Sequence, residues 1–440
     1  MQDNLEANST LHGNNSNSTE KKSIYSFAAY FSFVVFLFFI FFGTKMPFGE
    51  KLQDVEVTTT SNIINQVAFT FIFLTACFSL IPKWSEFVMM IKREKFLTIF
   101  LLWGLLTISW SDYGFVSFKR YFQYITTFLV SASIFLHLDS SEDTLKFFKY
   151  LLGAFIILSL LSIFTIPDAQ DRGGNWRGLA PHKNLLGQIS LITFIIMIFQ
   201  FIRSNLKGRI IYGLLVIISL ILIIGCNSST TLFALLLITG ILLALYLDKL
   251  FEPIGLGKTI SLLTIFTISG LALFIIITMP DILSDVFGYA GKDVTLTART
   301  FLWADIWIEI SKHFLLGCGF QGFWVIDSPH IEVLYATYVW IPIQAHNGYL
   351  DVLNEVGMIG LTLLIVTILN YFLNIRKLKG AHIWKWFVIL AIIFNITESS
   401  FIRPRMTIGV MFMFAYLALF TDLVKKEKSN SAPDFDNTNS

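Results

Sequence analysis

Charge is scarce in this sequence: 14% of its 440 residues are Asp, Glu, Lys or Arg, where a soluble globular domain carries roughly a quarter. The net charge of +2 is spread over short loops rather than gathered in one patch, so no nucleic-acid partner is expected. Cysteine is nearly absent. Cys77, Cys226 and Cys318 form neither a CxxC nor a Cys/His cluster, which leaves no zinc site or disulfide framework and reads them as small apolar residues in or near helices. There is no P-loop, GxGxxG or HExxH pattern, and no DxD-type carboxylate pair in the segments expected outside. ATP-driven work and metal-dependent nucleotide-sugar chemistry are therefore disfavoured, and no cofactor or metal is expected. The polar start, Met1 to Glu20 followed by Lys21 and Lys22, lacks the basic end and short apolar stretch of a cleavable signal. It reads as a disordered cytoplasmic tail over 1–23. Its sequons, Asn8-Ser9-Thr10 and Asn17-Ser18-Thr19, then read as chance.

Apolar surface is what the chain has in abundance: 55% of residues are hydrophobic and 45 are Phe. They come in long blocks, and a block of ~20 apolar residues spans a bilayer core as a helix. The blocks predict an all-α, multi-pass membrane protein of about twelve transmembrane helices. They lie near 24–43, 63–82, 96–110, 120–138, 147–166, 184–202, 210–226, 229–247, 260–279, 348–373, 384–398 and 405–423. Only the polar patch Asn227–Thr231 separates the seventh from the eighth, as a tight turn or as a break in one long helix. The domain plan is a tail over 1–23, helices over 24–279, a large outward loop over 280–345, helices over 346–423 and a second cytoplasmic tail over 424–440.

Lys and Arg in short loops set the orientation. With the N-terminus inside, Lys83, Lys92, Arg93 and Lys95 share the inner side with Arg203, Lys207 and Arg209. Arg376, Lys377, Lys379, Lys385 and the tail lysines Lys425, Lys426 and Lys428 follow there too. Both termini are then cytoplasmic, and the mixed loop at 139–146 does not vote. Four outward segments break the rule: Lys119-Arg120, Asp171 to Asn184, the large loop with Arg299, and Glu398 to Arg405. Basic groups converging on one face point to an anionic ligand there.

Within these segments, Arg177, His182 and Lys183 lead into the sixth helix, with Asn184 as a plausible N-cap. Backbone N–H groups and the helix dipole favour a phosphate at such a place; lipid-facing snorkelling is the alternative. The large loop reads as one or two helices on the membrane surface with aromatics toward lipid. Its Arg299 either binds an anion or pairs with Asp293 or Asp305. The strongest local signal is Ala345-His346-Asn347-Gly348-Tyr349-Leu350-Asp351-Val352-Leu353-Asn354-Glu355-Val356-Gly357. Asn347, Asp351 and Asn354 share one helix face, with Glu355 beside it, so a polar stripe enters the bundle. His346 at the helix start sits where the dipole favours a neutral imidazole, the form a general base needs; a purely structural His is the alternative. Glu398 positions a substrate hydroxyl, pairs with an Arg, or closes a helix-end ion pair. Asn347, Asp351, Glu355, Glu398, His182 and Arg403 are the candidates for positioning substrate.

Taken together these residues resemble the O-antigen ligase/polymerase family. The likeness rests on about twelve helices, the outward loop between the ninth and tenth, and the motif from His346 to Gly357. The pieces Arg177 to Asn184, Thr295 to Thr300 and Gly317 to Trp324 look most like its exopolysaccharide-polymerase branch. The resemblance implies a metal-independent glycosyltransferase on the outer face of a bacterial inner membrane. Donor and acceptor would be glycans on undecaprenyl diphosphate, or the acceptor would be lipid A core or a protein in a ligase. A flippase and a chain-length regulator would be partner proteins. His346 matches the family's base, and Arg299 an arginine that holds the leaving diphosphate. Several relatives carry Ser-Arg in the short outward loop before the eighth helix, where this chain has Asn227-Ser228. A second phosphate clamp is then lost, or supplied by Arg177 with Lys183. A transporter of the same glycans would instead show charge at mid-membrane depth and repeated halves; here the charges read as clustered at one face and the halves do not look alike. A purely structural scaffold leaves the outward basic clusters unexplained.

Overall fold

The computed structural model describes residues 24–42, 63–171, 173–271, 296–325, 328, 330–332, 334, 342–378 and 383–431. Both outer tails, Arg172, Asp293, the end of the ninth helix and part of the large loop lie outside them.

The described chain is all α-helix apart from turns, short 3-10 segments and one isolated bridge between Gln170 and Trp176. In chain order, α1 is Ile24–Phe42, α2 Ile63–Leu80, α3 Trp84–Glu94, α4 Phe96–Thr107, α5 Gly114–His137, α6 Asp143–Thr165 and α7 Lys183–Arg203. Then come α8 Leu206–Gly225, α9 Ser229–Phe251, α10 Gly257–Leu271, α11 Leu296–Lys312, α12 Gly348–Ile375, α13 Trp384–Phe394 and α14 Thr407–Ser431. Among the described residues, eight helices, α2 and α3 counting as one, are long and apolar enough to cross a membrane, with shorter apolar ones at 96–110, 257–271 and 384–394. The protein is a multi-pass membrane protein, and each of the twelve expected blocks has its helix.

Lipid replaces water as the solvent of the outer surface. On α2 the exposed residues include Ile63, Val67, Phe71, Leu74 and Phe78, an apolar stripe at helical spacing. The buried centre is aromatic. Helix α14 is 94% buried over its apolar window, and its Phe414 ring meets Phe33, Phe36, Phe135 and Phe148.

Several boundaries differ from the sequence expectation. The loop at 83–95, expected inside, is largely helical: α3 continues from α2 through a 3-10 turn and buries Phe87, Met90 and Glu94 at helical spacing. Helix α14 runs past 423 to Ser431. The patch at 227–231 is a tight turn, with Asn227 left-handed at φ 48°, so α8 and α9 are separate helices.

The largest departure concerns α12, which is broken at Gly357 (φ 72°, ψ −176°). The break frees backbone groups inside the bundle, where each needs a partner. The segment 314–319 supplies them: Cys318 N donates to Asn354 O at 2.9 Å, Gly319 N to Glu355 O at 2.9 Å, and Met358 N to Phe314 O at 2.9 Å. Trp103 Nε1 takes Val356 O at 2.8 Å. This half of the large loop therefore plugs into the helix break and is no surface helix. The aromatics expected toward lipid divide accordingly. Phe301 and Trp307 are exposed. Trp303 donates to Ala345 O at 2.8 Å, and the buried Trp324 donates to Asp351 Oδ1 at 2.9 Å.

Candidate transfer site

Three loops and one helix start meet at one end of the bundle. The loop 167–182 packs over the α8–α9 turn: Trp176 N donates to Gly225 O at 3.0 Å, and Asn227 Nδ2 to Asn175 Oδ1 at 3.2 Å. The α13–α14 loop, 395–406, lies against the start of α12, where Gly348 N donates to Asn395 O at 2.8 Å. Asn395 also organises its own loop, its Oδ1 accepting from Ser400 N at 2.8 Å. Gly348 must be glycine, because a Cβ there would overlap the Asn395 side chain.

This scaffold presents Glu398 to three partners. Its Oε2 lies 3.2 Å from His346 Nδ1 and accepts from Gln344 Nε2 at 2.7 Å. Its Oε1 lies 3.9 Å from Arg299 Nη2. Burial pushes the Glu398 carboxyl up, but the charge and hydrogen bond of His346, with Arg299 and His182 nearby, overcome that and hold it below its ordinary value. Arg299 is anchored by Nη1, which donates to Thr397 O at 2.6 Å. Its Nε is buried and meets no acceptor among the described residues. A guanidinium held at one edge with a donor left over is prepared for an anion. His346 itself is left-handed, at φ 50°, a conformation that costs a non-glycine residue roughly 1–2 kcal/mol and turns the side chain away from the path it would take in a regular helix start.

A second cluster lies deeper along α12. Asp351 and Glu355 are fully buried. Arg403 Nη2 is 3.0 Å from Asp351 Oδ2 and 3.8 Å from Glu355 Oε1. Asp351 Oδ1 also accepts from Ala345 N at 3.1 Å, and Glu355 Oε2 from Gln321 N at 2.8 Å. Arg120 donates to Gln321 O at 2.5 Å and Trp324 O at 3.2 Å. These groups knit the loop 321–324, the His346 loop and the 398–403 loop to α12. Glu355 lies about 10 Å along the helix from Gly348, at 1.5 Å per residue, so charge reaches into the bundle along the polar stripe as well as gathering at one face.

The remaining sequence candidates fall as follows. Asn347 is the N-cap of α12, its Oδ1 accepting from Tyr349 N and Leu350 N at 3.1 Å. At α7 the cap is His182, not Asn184: the helix starts at Lys183, and His182 Nδ1 accepts from Leu185 N at 3.2 Å. Arg177 is buried and turns into its own loop, donating to Asp168 O and to Pro181 O at 3.3 Å. Lys183 Nζ lies 3.5 Å from Asn227 O, at the α8–α9 turn. The sequence reading missed Gln344, because a neutral side chain two residues from a His carries no spacing signal of its own. It named Lys119-Arg120 as a basic cluster and Trp324 as the end of a family-like piece, but gave neither Arg120 nor Trp324 a role. Among the described residues no group of three or more His, Cys, Asp and Glu side chains could hold a metal ion.

Residues 214–365 match the family model described as O-antigen ligase. Over that stretch the chain is similar to the O-antigen ligase family. The matched ligase-family segment contains Arg299 and the motif His346 to Gly357 and stops before Glu398. Among curated proteins, the chain is 36% identical over 97 residues to the exopolysaccharide production protein ExoQ of Rhizobium meliloti (strain 1021), covering 21% of this chain and 22% of ExoQ. It is 26% identical over 204 residues to a provisionally named polysaccharide ligase of Rickettsia felis (45% of this chain, 46% of that protein). A similarly named Rickettsia typhi protein matches at 26% over 271 residues (58% and 63%). Each alignment spans less than two thirds of the relative's own length.

Proposed function

We propose that this protein is a membrane glycosyltransferase that polymerises undecaprenyl-diphosphate-linked repeat units into a surface or secreted polysaccharide. The observation that carries this reading is Glu398 standing between His346 and Arg299, a base and an anion clamp held by one carboxylate.

In the step so placed, Glu398 accepts from the Nδ1–H of His346 and leaves Nε2 to take the proton of an acceptor sugar hydroxyl. That oxygen forms a bond to the anomeric carbon of the donor. The bond from this carbon to the diphosphate oxygen breaks, and its electron pair leaves with undecaprenyl diphosphate. Charge grows on the leaving diphosphate, where a preorganised guanidinium in a partly dry site is worth most. Arg299 has the spare donor for it. The sugar arrives activated by diphosphate, so the step needs no nucleotide. The active face would be outward, in a bacterial inner membrane with both termini cytoplasmic, and Lys183 beside Asn227 is the second cation for the diphosphate.

A second reading, ligation of a finished glycan to lipid A core or protein, is favoured by the family description and by the two Rickettsia names. It shares the site and differs in acceptor. Deleting the gene and sizing the cell-surface and secreted glycan separates the readings. Loss of long polymer with single units still on lipid establishes the polymerase. Long polymer stranded on undecaprenyl diphosphate means ligase, and an unchanged glycan profile overturns both.

A further inference from the structure

Gln344 precedes His346 by two residues and is buried against the pair. Its Nε2 lies 2.7 Å from Glu398 Oε2 and 3.3 Å from His346 Nδ1. Its Oε1 is buried and meets no donor among the described residues. The amide cannot be turned over, because its oxygen would then face the ionised Glu398 carboxylate. Glu398 Oε2 thus receives the Gln344 donor, and an Nδ1–H on His346 gives it a second. A carboxylate oxygen anchored by a fixed amide has its remaining lone pair directed, and that direction selects the Nδ1–H tautomer of the imidazole. The orphan carbonyl is the other half of the observation. A buried acceptor without a donor is costly in a finished structure, and this one belongs to the side chain that touches both His346 and Glu398.

We infer that Gln344 is a positioning residue: its NH2 group fixes Glu398 and through it the proton-accepting tautomer of His346, and its carbonyl receives a second hydroxyl of the acceptor sugar. The carbonyl's part rests on the glycosyltransferase reading; the tautomer's part does not. The site would prefer acceptors with a hydroxyl donor next to the attacking one, because removing that donor leaves the Gln344 carbonyl buried and unmatched.

Two variants and two readouts test this. Full-length protein labelled with 15N-histidine, in lipid bilayers, reports the imidazole tautomer of His346, assigned by its disappearance in His346→Ala. In wild type the neutral imidazole should be the Nδ1–H form, with Nε2 unprotonated. Gln344→Met, close in shape without polar groups, should show a mixture of tautomers; an unchanged spectrum overturns the positioning role even if no activity is found. The kinetic assay uses lipid-linked repeat units isolated from a strain lacking the gene. Gln344→Met should lower kcat about 10-fold or more and raise the KM for acceptor, with the donor KM unchanged. Equal loss for donor and acceptor overturns the carbonyl's role.

Should Gln344→Met fail to fold, Gln344→Glu decides. Glu398 and His346 contact it, and Arg299 and His182 act on the same Glu398 carboxyl. Opposite Glu398 the introduced carboxyl restores the missing donor only when protonated, so activity of that variant relative to wild type should rise as pH falls. A flat ratio overturns the inference. Wild type inactive on the isolated units, together with the expected tautomer, would remove the function proposed above and leave the positioning of His346 standing.

Discussion

His346 Nδ1 and Glu398 Oε2 stand 3.2 Å apart, although 52 residues separate them and they come from opposite sides of the α12–α13 hairpin. The imidazole is thereby oriented by a carboxylate, and the same carboxylate reaches toward Arg299. His346 and Arg299, the proposed base and anion clamp, are coupled through one buried acid, so each can be perturbed through the other.

Replacing His346 by Ala removes the base and keeps the fold, because the residue sits in a loop before the helix cap. General-base help is worth about 10²–10⁴ in rate. Cells making only His346→Ala should lack long polymer while the protein remains at wild-type level in the membrane. Normal polymer in those cells sinks the assignment.

Glu398 gives a pH signature. Its carboxyl is held below its ordinary value by His346 and Arg299 against the opposing push of burial. A group depressed in the folded state contributes stability that is full above its unfolded value and is lost as pH falls through the lower folded one. Thermal stability should therefore hold through neutral pH and drop on the acid side of the usual carboxylate range. Glu398→Gln should lose that acid-limb drop in stability. If the variant's unfolding temperature varies with pH as wild type does, the ion pair is not the cause.

Arg299 should tolerate neither Ala nor Lys. Losing one preorganised donor to developing charge costs ~2.7–4 kcal/mol of barrier. Lysine restores charge without the fork that binds Thr397 O while leaving Nε over. Arg299→Lys should then cost about 10²-fold or more in turnover, read with isolated lipid-linked units. Wild-type turnover by Arg299→Lys would refute the clamp.

The buried pair of Arg403 and Asp351 is structural in its predicted effect. With Arg403 2% exposed and Asp351 fully buried, Arg403→Ala leaves an uncompensated carboxylate and should destabilise by ~3–5 kcal/mol. The double change Arg403→Met with Asp351→Leu should cost less than either single change. Thermal unfolding of the detergent-extracted protein decides it.

Gly357 should resist substitution for two reasons at once. Its φ of 72° disfavours any side chain by roughly 1–2 kcal/mol, and a Cβ there would overlap the Leu315 carbonyl. Gly357→Ala should expel the 314–319 segment from the helix break. Faster proteolysis of that segment is the expected readout, and an unchanged digestion pattern argues against the break being closed by these residues.

The helices were legible in the sequence because a bilayer core of ~30 Å sets one length for every span. Blocks such as 184–202 and 210–226 needed no tertiary information. The motif from His346 to Gly357 was legible too, since polar residues at helical spacing inside an apolar block stand out. The α3 segment was not, because its charges mask an amphipathic period, and neither was the plug at 314–319. A segment without periodicity gives no sign that its amides complete a broken helix.

Composition and pattern alone determined that this chain crosses a membrane many times and gathers basic residues in four loops, because burying or exposing charge in lipid is costly enough to be read from one dimension. Only the tertiary structure decided which of those residues meet. It turned Arg177 into its own loop, made His182 and Asn347 caps, drew Arg403 onto Asp351, and set Glu398 and Gln344 beside His346. Such partnerships are decided by hydrogen-bond geometry between segments far apart in sequence, which spacing along the chain does not encode.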